Sequence, residues 1–215
     1  MITIYAIPIS LYCAKLRILL RHKQLEWNEL PPPGGYGSDQ YKKIIPSGNL
    51  PAMVDGKLTL ADSEVIAEYL NDKYPQPPML PVDINQRAQA RERSRFHDTR
   101  LEPELRKLFP FIDEVNPDVC VIEKQSLQIS TRLKQLSYLL ANTKISFTDK
   151  LTLGDCGLPI TFAWIDALTP LFELNIHWPD SIIQYRKEIE THQAVAEELE
   201  IYRPGLGQWL KSLDG

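Results

Sequence analysis

Four prolines within eight residues, Tyr74-Pro75-Gln76-Pro77-Pro78-Met79-Leu80-Pro81, divide this chain into halves of different periodicity. Each proline removes a main-chain donor and fixes φ, so neither a helix nor a central strand runs through the stretch. Upstream, strand and helix signals alternate. Ile2, Ile4 and Tyr5 open a short strand that stops near Pro8, and Leu11 to His22 carry apolar residues at helical spacing with basic residues between them. Leu25 to Leu30 reads as a second strand, Pro31 to Gly35 as a loop, and 39–45 as a short helix. Asp55-Gly56 between Ala52–Val54 and Lys57–Leu60 is a hairpin signal, because such a turn needs positive φ. Ser63 then opens an amphipathic helix through Val65, Ile66, Tyr69 and Leu70. Downstream only helical periods occur, near 84–108, 120–142, 153–169, 180–193 and 204–213, punctuated at Asn116-Pro117, Trp178-Pro179 and Arg203-Pro204-Gly205. The expected architecture is an α/β domain of order βαβαββα over 1–75, a linker over 76–83 and an all-α domain over 84–215. Pro159 falls inside one of these helices and is expected to shift its start or kink it.

Composition narrows the function classes. With 43% hydrophobic and 24% charged residues, 215 residues bury a sizeable core. A net charge of −4 argues against a general nucleic-acid partner. Cys13, Cys120 and Cys156 are odd in number and show no paired spacing, which fits a reducing, cytoplasmic setting rather than a disulfide framework. The amino terminus shows no secretory pattern, and no apolar run approaches the ~18 residues of a membrane span. His22, His97, His177 and His192 have no partner at ligand spacing, so no metal is expected. Residues 91–100 hold four arginines interleaved with two acids and read as a solvated helix face. Phe109, Phe111, Phe162, Trp164, Phe172 and Trp178 read mostly as core.

Four local features resemble the soluble glutathione transferase superfamily: Ser10-Leu11-Tyr12-Cys13-Ala14-Lys15-Leu16-Arg17 directly after the first strand, Asn49-Leu50-Pro51-Ala52-Met53, Asp62-Ser63 at a helix start, and Thr152-Leu153-Gly154-Asp155. The resemblance implies a thioredoxin-like glutathione-binding domain followed by a helical bundle. It also implies a cis bond before Pro51, a homodimer, and transfer of the glutathione thiol to a small apolar electrophile. Lys15-Leu16-Arg17-Ile18 is similar to the zeta pattern and tilts toward a zeta- or beta-like bacterial or fungal member. The zeta serine and cysteine partners are replaced by Leu11 and Tyr12, so isomerase activity is not the reading preferred.

The chemistry requires a thiolate at neutral pH. Lowering a thiol from about 8.5 to about 6.5 takes about 2.7 kcal/mol of selective anion stabilisation. A hydroxyl and the positive end of a helix favour the anion, and Ser10 stands where strand hands over to helix. Its alternative is a plain N-cap. Tyr12 competes as a donor or lines the acceptor pocket. Cys13 is either core or the centre of a thiol–disulfide exchange of the glutaredoxin type. For the rest of glutathione the resemblance implies the main chain of Leu50 ahead of Pro51, Ser63 for the γ-glutamyl carboxylate and Asp62, shorter than the family's Glu or Gln, for the ammonium, while Ser63 also reads as a plain N-cap. Lys42, Lys43, Tyr36 and Asn49 are candidates for the glycine carboxylate. Thr152 and Asp155 form a capping box with a folding role. Asp98 is either a solvated charge or an acid that reaches a partner subunit's glutathione. A different class stays open, since the same fold serves non-catalytic adaptors such as stringent-starvation regulators.

Overall fold

A computed structural model describes residues 1–114, 117–142 and 151–213. The amino-terminal half runs β1 (Ile2–Tyr5), α1 (Leu11–His22), β2 (Trp27–Leu30), α2 (Asp39–Lys42), β3 (Ala52–Asp55), β4 (Leu58–Ala61) and α3 (Ser63–Lys73). The sheet order is β2-β1-β3-β4. β1 pairs parallel with β2 (Ile2 opposite Trp27) and antiparallel with β3 (Tyr5 opposite Ala52), and β3 pairs antiparallel with β4 (Asp55 opposite Leu58). This is the thioredoxin-like βαβαββα arrangement. The hairpin is displaced by one residue from the expected Asp55-Gly56 loop: Asp55 belongs to the strand, and Gly56-Lys57 make the turn. Gly56 alone of these two has positive φ, +62°, as a II′ turn requires at its first central position.

The other half is helical: α4 (Ile84–Phe96), a π turn at His97–Leu101, α5 (Glu102–Arg106), α6 (Val119–Ala141), α7 (Leu158–Phe172), α8 (Asp180–Ile189) and α9 (Gln193–Lys211). No helix among the described residues is long and apolar enough to cross a membrane. One continuous apolar core joins both halves, from Ile4, Leu16 and Ile66 through Leu133, Phe162 and Leu199.

Several expectations need correction. α9 starts at Gln193 and passes through Pro204 without a break. Its apolar face (Val195, Leu199, Tyr202, Leu206) is buried, whereas Pro204 and the residue four before it, Glu200, are exposed. The carbonyl that Pro204 leaves unpaired therefore meets solvent, and packing of the opposite face sustains the helix. Pro159 meets the first of its two expected outcomes: α7 starts at Leu158 rather than near 153, with Pro159 in its first turn, where no intrahelical N–H bond is due. The segment Leu153–Asp155 before it is a separate 3₁₀ turn. There Asp155, fully buried, accepts the Thr152 N–H (2.9 Å) and hydroxyl (2.6 Å) as the capping reading expects. The run 91–100 is not simply a solvated face. Arg93 is buried against Asp155 (2.9 Å) and Thr152 (3.0 Å), and the Asp98 side chain is only 9% exposed. Of the Asn116-Pro117 break, Asn116 lies outside the described residues.

Candidate active site

Ser10 ends the turn after β1 and caps α1. Its Oγ accepts the Cys13 N–H at 3.3 Å, and its hydroxyl proton can donate toward the Cys13 thiol or into the cleft. The cap reading and the thiolate reading are thus compatible in one side chain. Ser10 faces a cleft of about 540 Å³ between the two halves of the molecule. One wall comes from the sheet-bearing half: Tyr36, Asn49, Leu50, Asp62 and Ser63. The Leu50-Pro51 bond is cis, and no backbone partner takes the Leu50 N–H or C=O among the described residues. The other wall is aromatic and cationic, with Tyr12, Phe109, Trp164, Trp209, Arg95 and Arg106.

At the start of α3 the structure reassigns a role. Asp62, not Ser63, is the N-cap: its Oδ1 accepts the Glu64 N–H (2.8 Å) and the Val65 N–H (3.2 Å). Asp62 holds φ +92°, which an L residue rarely adopts. Ser63 is the first helical residue and nearly buried, and the N–H groups of the two residues after it are already taken by the Asp62 side chain. Lys42 packs beneath Gly48, and neither it nor Lys43 lines the cleft, whereas Tyr36 and Asn49 do.

Tyr12 is not a free donor. Its hydroxyl gives its proton to Glu102 Oε2 at 2.9 Å, and burial together with Glu102 and Asp98 pushes the phenol far above its ordinary value. It lines the cleft with its ring, on which the Arg106 guanidinium lies 5.5 Å from the centroid. Cys13 is fully buried, and burial pushes its thiol up. It therefore lacks both the exposure and the thiolate character that disulfide exchange demands.

Beneath the cleft floor lies a buried ion network. Lys15 on α1, 2% exposed, reaches Glu64 of α3 at 2.7 Å and both oxygens of Asp98 at 2.9 Å. Ser94 donates to Glu64 at 2.6 Å. His97 meets Asp98 at 2.7 Å through Nδ1 and Thr161 at 2.7 Å through Nε2. Burial alone would raise the Asp98 carboxyl, but the His97 hydrogen bond and the Lys15 ammonium overcome it and hold the group down to about 2. Asp98 thus ties the two halves together, and it also lines the cleft.

The sequence reading omitted Trp209, Arg95 and Arg106 from the cleft. Trp209 is one of only four tryptophans, and its partly polar ring suits a cleft wall, but nothing local says which wall. A larger groove of about 790 Å³ runs along α6 and the end of α7, through Ile122, Ser126, Phe172 and His177, and holds none of the candidate glutathione contacts.

Comparison with known proteins agrees with this geometry. The family described as "Glutathione S-transferase, N-terminal domain" matches residues 4–78. A stringent starvation protein A homolog of Coxiella burnetii is 29% identical over 205 residues, covering 92% of each chain. Glutathione S-transferase Z2 of Arabidopsis thaliana is 44% identical over 80 residues, 35% of this chain and 36% of that protein. A delta-class glutathione transferase of Nilaparvata lugens superposes with a TM-score of 0.80 at 21% identity, over 99% of this chain and 100% of that one. A thioredoxin-like half whose first helix is capped by a serine at a cleft, the helical half that closes that cleft, and these likenesses together support a member of the soluble glutathione transferase superfamily.

Proposed function

We propose that the cleft binds glutathione with its sulfur at Ser10 and transfers the thiolate to a small, largely apolar electrophile held against the aromatic wall. The observation that carries this reading is the Ser10 hydroxyl, at the amino end of a 12-residue helix, lining a cleft with Asn49, Leu50, Asp62 and Ser63 on one side and aromatic rings on the other. A hydrogen bond to a charged group contributes about 1.5–3 kcal/mol and a helix start about 0.3–1 kcal/mol, which together match the roughly 2.7 kcal/mol the thiolate needs. In this pose the cysteinyl main chain pairs with Leu50, the γ-glutamyl carboxylate lies at Ser63, the ammonium at Asp62, and the glycine end near Asn49 and Tyr36. A homodimer and a cytoplasmic location, as the family resemblance implies, belong to the same proposal, and sedimentation velocity tests the former.

The test is the ultraviolet thiolate absorbance of bound glutathione against pH, in wild type and Ser10→Ala. The expected wild-type thiol titrates one to two units below free glutathione, and Ser10→Ala returns it upward with a loss of turnover of about 10- to 100-fold at pH 6.5. Glutathione bound with an unshifted thiol in both proteins would refute the transferase reading.

A second reading has its own support, since the Coxiella burnetii relative that matches nearly end to end is named for stringent starvation rather than for transfer. Under that reading the chain is an adaptor, and the same titration discriminates: an adaptor has no reason to ionise the thiol.

A further inference from the structure

The turn that delivers Ser10 is held by hydrogen bonds from outside itself. All three carbonyls that precede Ser10 are taken. Ile7 O accepts Arg17 Nη2 at 3.2 Å as well as the Ser10 N–H at 3.2 Å. Pro8 O accepts Arg17 Nη1 at 3.3 Å. Ile9 O accepts the Tyr202 hydroxyl at 2.7 Å. Tyr202, 193 residues further along the chain and 4% exposed, also accepts the Trp164 Nε1–H at 2.6 Å, and Trp164 belongs to the acceptor wall.

Arg17 is itself fixed. It is 8% exposed, its Nε donates to Glu29 of β2 at 2.9 Å, and its Nη1 lies 3.4 Å from Glu198 of α9, which is 2% exposed. A planar fork of five donors satisfies two carbonyls and two carboxylates at once, which an ammonium cannot do in the same geometry. Packing does not hold the turn in place from every side. Pro8 and Ile9 line a second cavity of about 290 Å³, whose other walls include Arg17, Trp27, Tyr202 and Leu206. Displacement into that space is open sterically and opposed by these hydrogen bonds.

We propose that Arg17 and Tyr202 are positioning residues that aim the Ser10 hydroxyl into the cleft, so that the last helix of the chain sets the geometry of the first. The inference rests on the reading of Ser10 as the thiolate's donor. A hydrogen bond to an anion depends steeply on donor direction, and a site that tolerates only about 0.5 Å of error needs such support. Neither residue touches the sulfur, so neither is catalytic.

The experiment compares Tyr202→Phe and Arg17→Lys with wild type and Ser10→Ala, measuring the thiolate titration of bound glutathione, its Kd and the thermal midpoint of each protein. Tyr202→Phe keeps the ring in its packing and deletes one hydroxyl, and Arg17→Lys keeps the charge for Glu198 and loses the fork. In both, the bound thiol is expected to titrate half to one unit higher than in wild type while Kd changes less than about threefold. Turnover should drop three- to tenfold at pH 6.5 and return toward wild type at pH 9, where the thiol ionises unaided. Thiol titration at the wild-type value in both folded variants, whatever their thermal midpoints, overturns the positioning role and leaves the Ser10 reading standing. A wild-type thiol that is unshifted, or indifferent to Ser10→Ala, overturns both.

Discussion

Asp62 combines a strained backbone with a cap, and the two features oppose each other in stability. At φ +92° an alanine is strained as much as an aspartate and gains no cap, whereas a glycine is unstrained. Asp62→Ala is therefore expected to lower unfolding stability by about 1–3 kcal/mol, and Asp62→Gly by less, as urea midpoints will show. Asp62→Asn keeps an oxygen for the Glu64 and Val65 N–H groups and removes the negative charge. It should unfold like wild type yet bind glutathione several-fold more weakly by calorimetry. Unchanged affinity in that variant would separate Asp62 from the ligand and leave it a cap only. The one-residue difference between an expected Ser63 cap and the observed Asp62 cap shows where local reading stops. Both residue types cap well, and the choice depends on a backbone angle that adjacent strand and helix impose together.

On the scale of elements, α1 is the structural centre, because it is covered on more than one face. In the sequence its basic residues, Lys15 and Arg17 among them, stand between the apolar positions of a helical pattern. In the fold α1 meets α3, α7 and α9, and both cations are buried and paired. A buried ion cluster adds little net stability when complete but much instability when broken. Lys15→Met is expected to cost about 3–5 kcal/mol in urea unfolding, because Glu64 and Asp98 then remain buried without their cation. A cost below about 1 kcal/mol would show that water or a neighbouring cation replaces the ammonium. The same helix illustrates why Cys13 offered two readings. The amino turn of a helix favours a reactive thiol in general, but this cysteine is on the face packed against the core, and only the docking of the other elements decides that.

Considered whole, the molecule depends on contact between its first and last helices. Arg17 and Arg21 reach Glu198 on one side of that contact, and on another His22 at the end of α1 lies 5.0 Å, ring to ring, from His192 at the start of α9. Burial, then the neighbouring His192 and Lys23, lowers His22 to about 4, and burial lowers His192 as well. Both groups are lowered in the folded chain, so the unfolded chain takes up protons first. Stability is full above the ordinary histidine value of about 6.5 and falls as pH drops toward about 4. The Asp98 carboxyl, held to about 2, adds its own loss only below about pH 4, so the two windows separate. The thermal midpoint of wild type is expected to decline between pH 6.5 and 4.5, with a shallower slope in His22→Gln/His192→Gln. Parallel slopes would remove the imidazole pair as the cause.

The division between what was legible and what was not follows from range. Strands and most helices of the first half, the break at 74–81, the helical second half, and the cluster of Ser10, Asn49, Leu50, Asp62 and Ser63 were readable, because alternation, turn residues and motif spacing act within a few residues. The run of α9 through Pro204, the burial of Arg93 and Asp98, and the meeting of Trp164 and Trp209 in the cleft that Ser10 lines were not readable. Each depends on which faces dock across long stretches of chain, 59 residues between Arg93 and Thr152 and 83 between Lys15 and Asp98, and desolvation of those faces, rather than local propensity, determines which charges must pair and which rings close the cleft. By itself the sequence determined the order of strands and helices and pointed to the residues proposed to hold a thiolate, while the tertiary structure alone decided what surrounds the turn before Ser10, since its carbonyls are taken by partners as distant as Tyr202.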